Sequence, residues 1–240
     1  MANELNEVVE MSGDCFYNIL RATREVDYLE PRLDLIGKRE VDDERIVFRL
    51  INSYPIITVK MKPTEVDYGN MAARQRMYEM DKALVRLGSV YRTIGQCHHH
   101  LHSTKTKVVG RPSKEDVDGA EFEMRKFNLR YYFIELIGEV KRLKYLKPEK
   151  LSLNIYKKGK GIKILFNHST YRGTDLCLRG FKIVKRKGTT LVKKELNIDL
   201  VRSIIESRES LIERLVAWSV IAFWYNKLFK PTSQLNNHGI

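Results

Sequence analysis

The period of the apolar positions changes several times along the chain, and each change predicts an element. Phe16, Ile19 and Leu20 fall at helical spacing behind Asp14, which can cap a first turn, so a helix is predicted from Asp14 to about Val26. After the breaker Pro31, "RLDLIGK" and "RIVFRLINSYPIITVKM" are rich in β-branched and aromatic residues and read as neighbouring antiparallel strands around the acidic turn "EVDDE". Met77, Met80, Leu84 and Leu87 return to spacings of three and four, predicting a second helix from an Asn70 cap to Leu87, ended by Gly88. "SVYRTIGQCH" is the next strand, and a third helix begins at Ser113 with "SKEDVDGAEFEMRKF". "RYYFIELIG", "KLSLNIYKK" and "GIKILF" read as further strands, with hairpins at "YKKGKGIKI" and "FKIVKRKGTTLVKKEL". A long closing helix from about Asp199 to Phe229 is predicted to stop before Pro231, leaving a loose tail. Strands and helices mixed in this order imply an α/β or α+β sheet with helices packed against it.

Composition narrows the class. Hydrophobic residues at 43% and charged residues at 30% are ordinary for a globular chain of 240 residues, long enough to bury its own core. The cations exceed the anions by 13, with a pI near 9.6, so an acidic partner is expected. The excess is heaviest from Lys141 to Lys194, and nucleic acid, an anionic membrane surface or an acidic protein would each suit that field. Cys15, Cys97 and Cys177 are too few and too scattered for a disulfide framework, and "MANELNEVVEMSGD" lacks the order of a secretory signal. A reducing, cytoplasmic setting is the expectation. "LVAWSVIAFWY" falls short of the roughly 20 residues of a membrane span and reads as a buried or partner-facing helix.

The chemistry concentrates in "GQCHHHLHS", which holds four of the six histidines. On a strand, residues two apart share a face, so His98 and His100 converge while Cys97 and His99 face away. Two neutral imidazoles want a carboxylate to complete a zinc site with one position left to water, and "RPSKEDVDG" supplies Asp116 in the first turn of the third helix. Ser113 with Asp116 also reads as a capping box, and the two roles are compatible. Of the rest, His102 reads as an exposed loop residue, His168 as structural or solvated, His238 as part of the tail, and Cys97 as a buried thiol.

H-x-H followed by S-x-x-D resembles the JAMM motif of the MPN-domain zinc metalloproteases, which remove ubiquitin-like proteins. "EPRLDLIG", Glu30 to Gly37, is similar to that family's upstream E-x-x-G-x-L-x-G with Leu33 in place of the inner glycine, and "IGQCHHH" sets Gly95 three residues before His98. The resemblance implies an MPN-like mixed sheet flanked by helices over residues 1–168, and an extension of basic hairpins plus a long helix over 169–240. It implies zinc on His98, His100 and Asp116, proton transfer by Glu30 and oxyanion stabilisation by Ser113. Glu25 and Asp27 compete with Glu30 but stand at the wrong distance from Gly37.

The sequence departs from the family in Leu101 where a proline is usual, in His99 where a serine is usual, and in twelve residues, "LHSTKTKVVGRP", where seven are usual before Ser113. The longer loop costs little closure entropy, roughly 0.6 kcal/mol per doubling. The implied activity is that of an isopeptidase cleaving at the C-terminal tail of a ubiquitin-like or other small, acidic modifier. The competing expectations are a basic nucleic-acid-binding module and a silent scaffold that docks a partner or a second copy through its C-terminal helix.

Overall fold

The computed structural model describes residues 5–25, 32–41, 44–56, 60–62, 65–66, 71–101, 111–129, 132–144, 151–167, 172–185 and 191–200. Among them the order is β1 (Asn6–Met11), α1 (Gly13–Glu25), β2 (Arg32–Val41), β3 (Arg45–Ile56), β4 (Lys60–Lys62), β5 (Glu65–Val66), α2 (Met71–Arg86), β6 (Arg92–Leu101), α3 (Lys114–Lys126), β7 (Phe133–Lys144), β8 (Ser152–Lys158), β9 (Gly161–Asn167), β10 (Arg172–Lys185) and β11 (Leu191–Leu200).

Seven of the described strands close on themselves in the order β11–β1–β3–β2–β6–β7–β10, sealed where β10 pairs back onto β11. Closure depends on the length of β10. Along one edge it pairs with β7 from Arg172 to Ile183. Along the other it pairs with β9 from Gly173 to Leu178 and then with β11 from Gly180 to Lys185. The β9–β8 pair therefore leaves the ring as a side sheet, while β4 and β5 pair only with each other among the described residues.

This corrects the expected MPN-like sheet flanked by helices. The molecule is a mixed β-barrel, and the strands after residue 168 are staves of that barrel: β10 lies beside β7, and β11 lies beside β1. The physical reason is the edges. An open sheet would leave backbone groups of β1 and β11 unpaired, whereas the parallel match Val8↔Asn197 to Met11↔Leu200 joins them. β11 runs through Leu200, where a helix was expected to begin at Asp199, and the remainder of that expected helix lies outside the described residues.

The larger core lies inside the barrel and is plugged by α1. Phe16, Ile19 and Leu20 pack with Leu33 and Leu35 of β2, Leu50 of β3, Leu136 of β7, Leu178 of β10 and Ile198 of β11. Each such side chain contributes about 1.5–3 kcal/mol on burial. The start of α1 is held by Ser12, not by Asp14: its hydroxyl accepts from the Cys15 amide at 3.2 Å and donates to the Ile51 carbonyl at 2.6 Å. A smaller core sits outside the barrel wall, where Ala120, Met124, Phe127 and Leu129 at α3 and its C-terminal end pack with Phe133 of β7 and Ile183 of β10. Since β6 and β7 are parallel neighbours, α3 is the crossover between them, and its N-terminus returns to the end of β6.

Some of the basic residues from Lys141 to Lys194 pair with carboxylates across strands. Lys163 pairs with Asp175, Arg179 with Glu195, Lys157 with Asp199, and Lys182 and Lys194 with Glu7. No described helix is long and apolar enough to cross a membrane. Gly119, inside α3, has nothing within 4 Å of where a Cβ would stand. Gly119→Ala should therefore raise stability by about 0.5–1 kcal/mol, read as a small upward shift in the denaturant midpoint.

Candidate metal centre

β6 presents its residues alternately to the two sides of the barrel wall. Cys97 belongs to the interior core, and His99 lies inside with its Nε2 3.3 Å from Thr23 Oγ1 of α1 and 3.8 Å from Cys97 Sγ. Burial pushes the His99 imidazole down to about 3, helped by His98, Arg142 and His100, so it sits neutral in the core. Gly138 makes room for it, since a Cβ there would fall 2.1 Å from His99 Cδ2.

His98 and His100 take the other side, beneath the N-terminus of α3. Their Nε2 atoms are 2.9 Å apart, with ring centroids at 4.8 Å and planes at 63°. Asp116 closes the triangle with Oδ1 3.5 Å from His98 Nε2, so one ligand atom from each of the three residues lies within 4.8 Å of the others. The carboxylate is anchored by the turn it belongs to: the Ser113 amide donates to Asp116 Oδ2 at 2.6 Å, and the Asp116 amide donates to Ser113 Oγ at 3.1 Å. One carboxylate thus serves the capping box with one oxygen and faces the imidazoles with the other.

The electrostatics suit this arrangement. Burial pushes His98 down to about 4, opposed by Asp116 and aided by His100 and Arg32, so its ring is neutral at ordinary pH. Burial pulls Asp116 up, but His98, the Ser113 amide and hydroxyl, and His100 together carry it below the usual carboxylate range.

Behind the triangle lies a buried polar layer that sequence reasoning missed. Asp34 of β2, Gln96 of β6 and Glu135 of β7 stand in one register row, and Arg32, His98 and Ile137 in the next. Arg32 pairs with Glu123 of α3 at 3.2 Å, Gln96 Nε2 donates to Glu135 Oε1 at 3.2 Å, and Glu135 Oε1 is 3.4 Å from His98 Nδ1. Glu139 stands beside His100 in the register. The signal was present in "RYYFIELIG", where an acidic residue interrupts an apolar strand.

These residues fit a divalent cation. Two neutral imidazole nitrogens and a carboxylate oxygen are the ligand types zinc takes, and tetrahedral ligands at 2.0–2.1 Å stand about 3.4 Å apart. The 2.9 and 3.5 Å separations lie within a small side-chain adjustment of that spacing. Asp34, Glu123 and Glu135 of this layer are buried and Arg32 pairs with Glu123, so a dication would sit against poorly solvated, carboxylate-bearing surroundings. Glu30, the expected proton carrier, lies outside the described residues, as do His102, His168 and His238. Ser113 is exposed at the mouth of the triangle. Ser113→Ala should cost about 1 kcal/mol of stability through the lost cap while leaving metal stoichiometry intact, because the backbone amide still holds Asp116. Chemical denaturation beside elemental analysis checks both parts.

No family model matches the chain, and no curated protein matches it. Among solved structures, a protein from Desulfitobacterium hafniense, determined in solution, is similar over 80% of this chain and 92% of its own, at 16% identity and a TM-score of 0.41.

Proposed function

We propose that this protein is a zinc-dependent hydrolase of peptide or isopeptide bonds, with His98, His100 and Asp116 as its zinc ligands. The observation that carries the reading is the convergence of these three donors at the α3 N-terminus, with the carboxylate preset by its own cap. Bound there, zinc would supply a water of lowered pKa and a Lewis acid for the scissile carbonyl.

The chain's own residues divide the remaining work. His98 is kept neutral by burial and so offers a lone pair without first losing a proton. Asp116 is held charged and oriented by Ser113. The Ser113 hydroxyl accepts from the Asp116 amide through a lone pair, which leaves its own hydrogen free to donate to a developing oxyanion. The resemblance of H-x-H and S-x-x-D to the JAMM motif implies a protein substrate, namely the extended C-terminal tail of a ubiquitin-like or other small modifier. It assigns Glu30 to accept the proton of the attacking water and return it to the leaving amine. The proposal rests on the donor set and its spacing, not on the barrel.

The test uses the full chain, loaded with zinc and assayed against conjugates of small protein modifiers. Hydrolysis should stop with a chelator and return with added zinc. Glu30→Gln should lower turnover by about 10²–10⁴-fold, the typical contribution of a general base, with zinc content unchanged. Hydrolysis indifferent to chelator, or equal in Glu30→Gln, would overturn this assignment.

A further inference from the structure

We infer that Glu135 is the positioning residue of the metal centre, fixing His98 in the tautomer that carries its proton on Nδ1 and turns the Nε2 lone pair toward His100 and Asp116. The inference rests on the metal-site reading above and adds to it the residue that sets the ligand's chemical form.

Glu135 is fully buried, on a strand whose neighbouring residues Phe133, Ile134, Leu136 and Ile137 are apolar. A carboxylate there pays a desolvation cost that only polar neighbours can offset. Two are in place on the same wall of the barrel. Gln96 lies directly opposite in the parallel register and donates its amide to Oε1 at 3.2 Å. His98, two residues further along β6, brings Nδ1 to 3.4 Å from the same oxygen.

A neutral imidazole has one N–H and one bare nitrogen, and a carboxylate can only accept. His98 stands between two carboxylates, Glu135 Oε1 3.4 Å from Nδ1 and Asp116 Oδ1 3.5 Å from Nε2. Asp116 is already met by the Ser113 amide and Nε2 has His100 as a second neighbour, whereas Glu135 is fully buried, so the proton is assigned to Nδ1 and the bare nitrogen is Nε2. That assignment decides the contact on the other side. With Nε2 of His98 an acceptor, the 2.9 Å approach of His100 is a donation from His100 Nε2–H. His98 is then already in its ligating form. The His100 proton must move from Nε2 to Nδ1 before Nε2 can ligate. Glu135 thereby divides two adjacent histidines of one strand into a preset ligand and a switching one.

The experiment is nitrogen–proton correlation NMR of the imidazoles in the metal-free full chain, with zinc affinity measured by competition against a chelator of known strength. The expected result is a protonated Nδ1 and a bare Nε2 at His98 in the wild type. Glu135→Gln, close in shape but uncharged, should show a mixture of tautomers and bind zinc about 10–100-fold more weakly at unchanged stoichiometry. Should Glu135→Gln fail to fold, the wild-type spectrum decides alone. A wild type that binds zinc but has its His98 proton on Nε2, or a Glu135→Gln chain that binds zinc as tightly as wild type, overturns the role of Glu135 and leaves the metal site standing. A wild type that takes up no zinc overturns both.

Discussion

Gly95→Ala should cost the protein about 3–5 kcal/mol, enough to lower its melting temperature by roughly 10 °C. A Cβ at this position would fall 1.9 Å from the Ile134 carbonyl oxygen, 2.7 Å from its carbon and 3.0 Å from its Cα. All three atoms are backbone, so no rotamer change relieves the clash, and β6 must move away from β7. The two strands are joined by the register Gly95↔Ile134 to Leu101↔Val140, which also places Gln96 beside Glu135. The damage should therefore spread from stability to the centre: zinc affinity should fall even though no ligand is touched. Thermal unfolding of Gly95→Ala beside Gly119→Ala gives the contrast, because the second methyl enters open space and should act with the opposite sign. Equal melting temperatures for Gly95→Ala and wild type would mean that β6 and β7 do not approach this closely.

The largest effect on the centre itself is expected from His98→Ala. The change removes one of three donors and also uncovers Glu135, whose Oε1 faces His98 Nδ1 from a fully buried position. Zinc affinity should fall by roughly 10²–10³-fold, since a site worth 10–16 kcal/mol in small zinc domains spreads that energy over about four ligands. In the metal-free state stability should drop by about 1–3 kcal/mol, the cost of leaving a buried acceptor short of a donor. Melting curves with and without zinc separate the two effects. Wild type should gain stability with zinc according to its affinity, while His98→Ala should start lower and gain almost nothing at the same zinc concentration. Matching zinc-induced shifts in the two proteins would remove His98 from the ligand set.

The centre was more legible than the fold that carries it. A two-residue period on "CHHH" is enough to send His98 and His100 to one side and Cys97 and His99 to the other, because strand alternation is local. Ser113 and Asp116 were equally local, a cap written in four residues. The barrel was not legible, because closure is decided far apart in sequence. β1, "NEVVEM", is short, opens the chain and carries adjacent valines instead of an alternation, so nothing nearby marks it as a strand. Its partners are β3 and the distant β11, both parallel. β10 was read only from Phe181 onward, although it begins at Arg172. Its missing first half pairs with β7 and β9, and its second half makes the seal with β11. The hairpin that makes the seal was read, but with β1 and the first half of β10 unread the remaining strands resembled an open sheet. Glu135 was passed over for a related reason: "RYYFIEL" has the composition of core, and its carboxylate acquires meaning only when β7 is laid parallel to β6.

The most direct test of the metal centre is zinc X-ray absorption on the full chain, loaded with one equivalent of zinc, in wild type and Asp116→Asn. The expected wild-type signal is a four-coordinate zinc with imidazole and oxygen neighbours at about 2.0–2.1 Å, imidazole scattering from two histidines, and an altered oxygen shell in Asp116→Asn. Sulfur neighbours near 2.3 Å, or identical spectra from the two proteins, would place zinc away from His98, His100 and Asp116 and contradict the account.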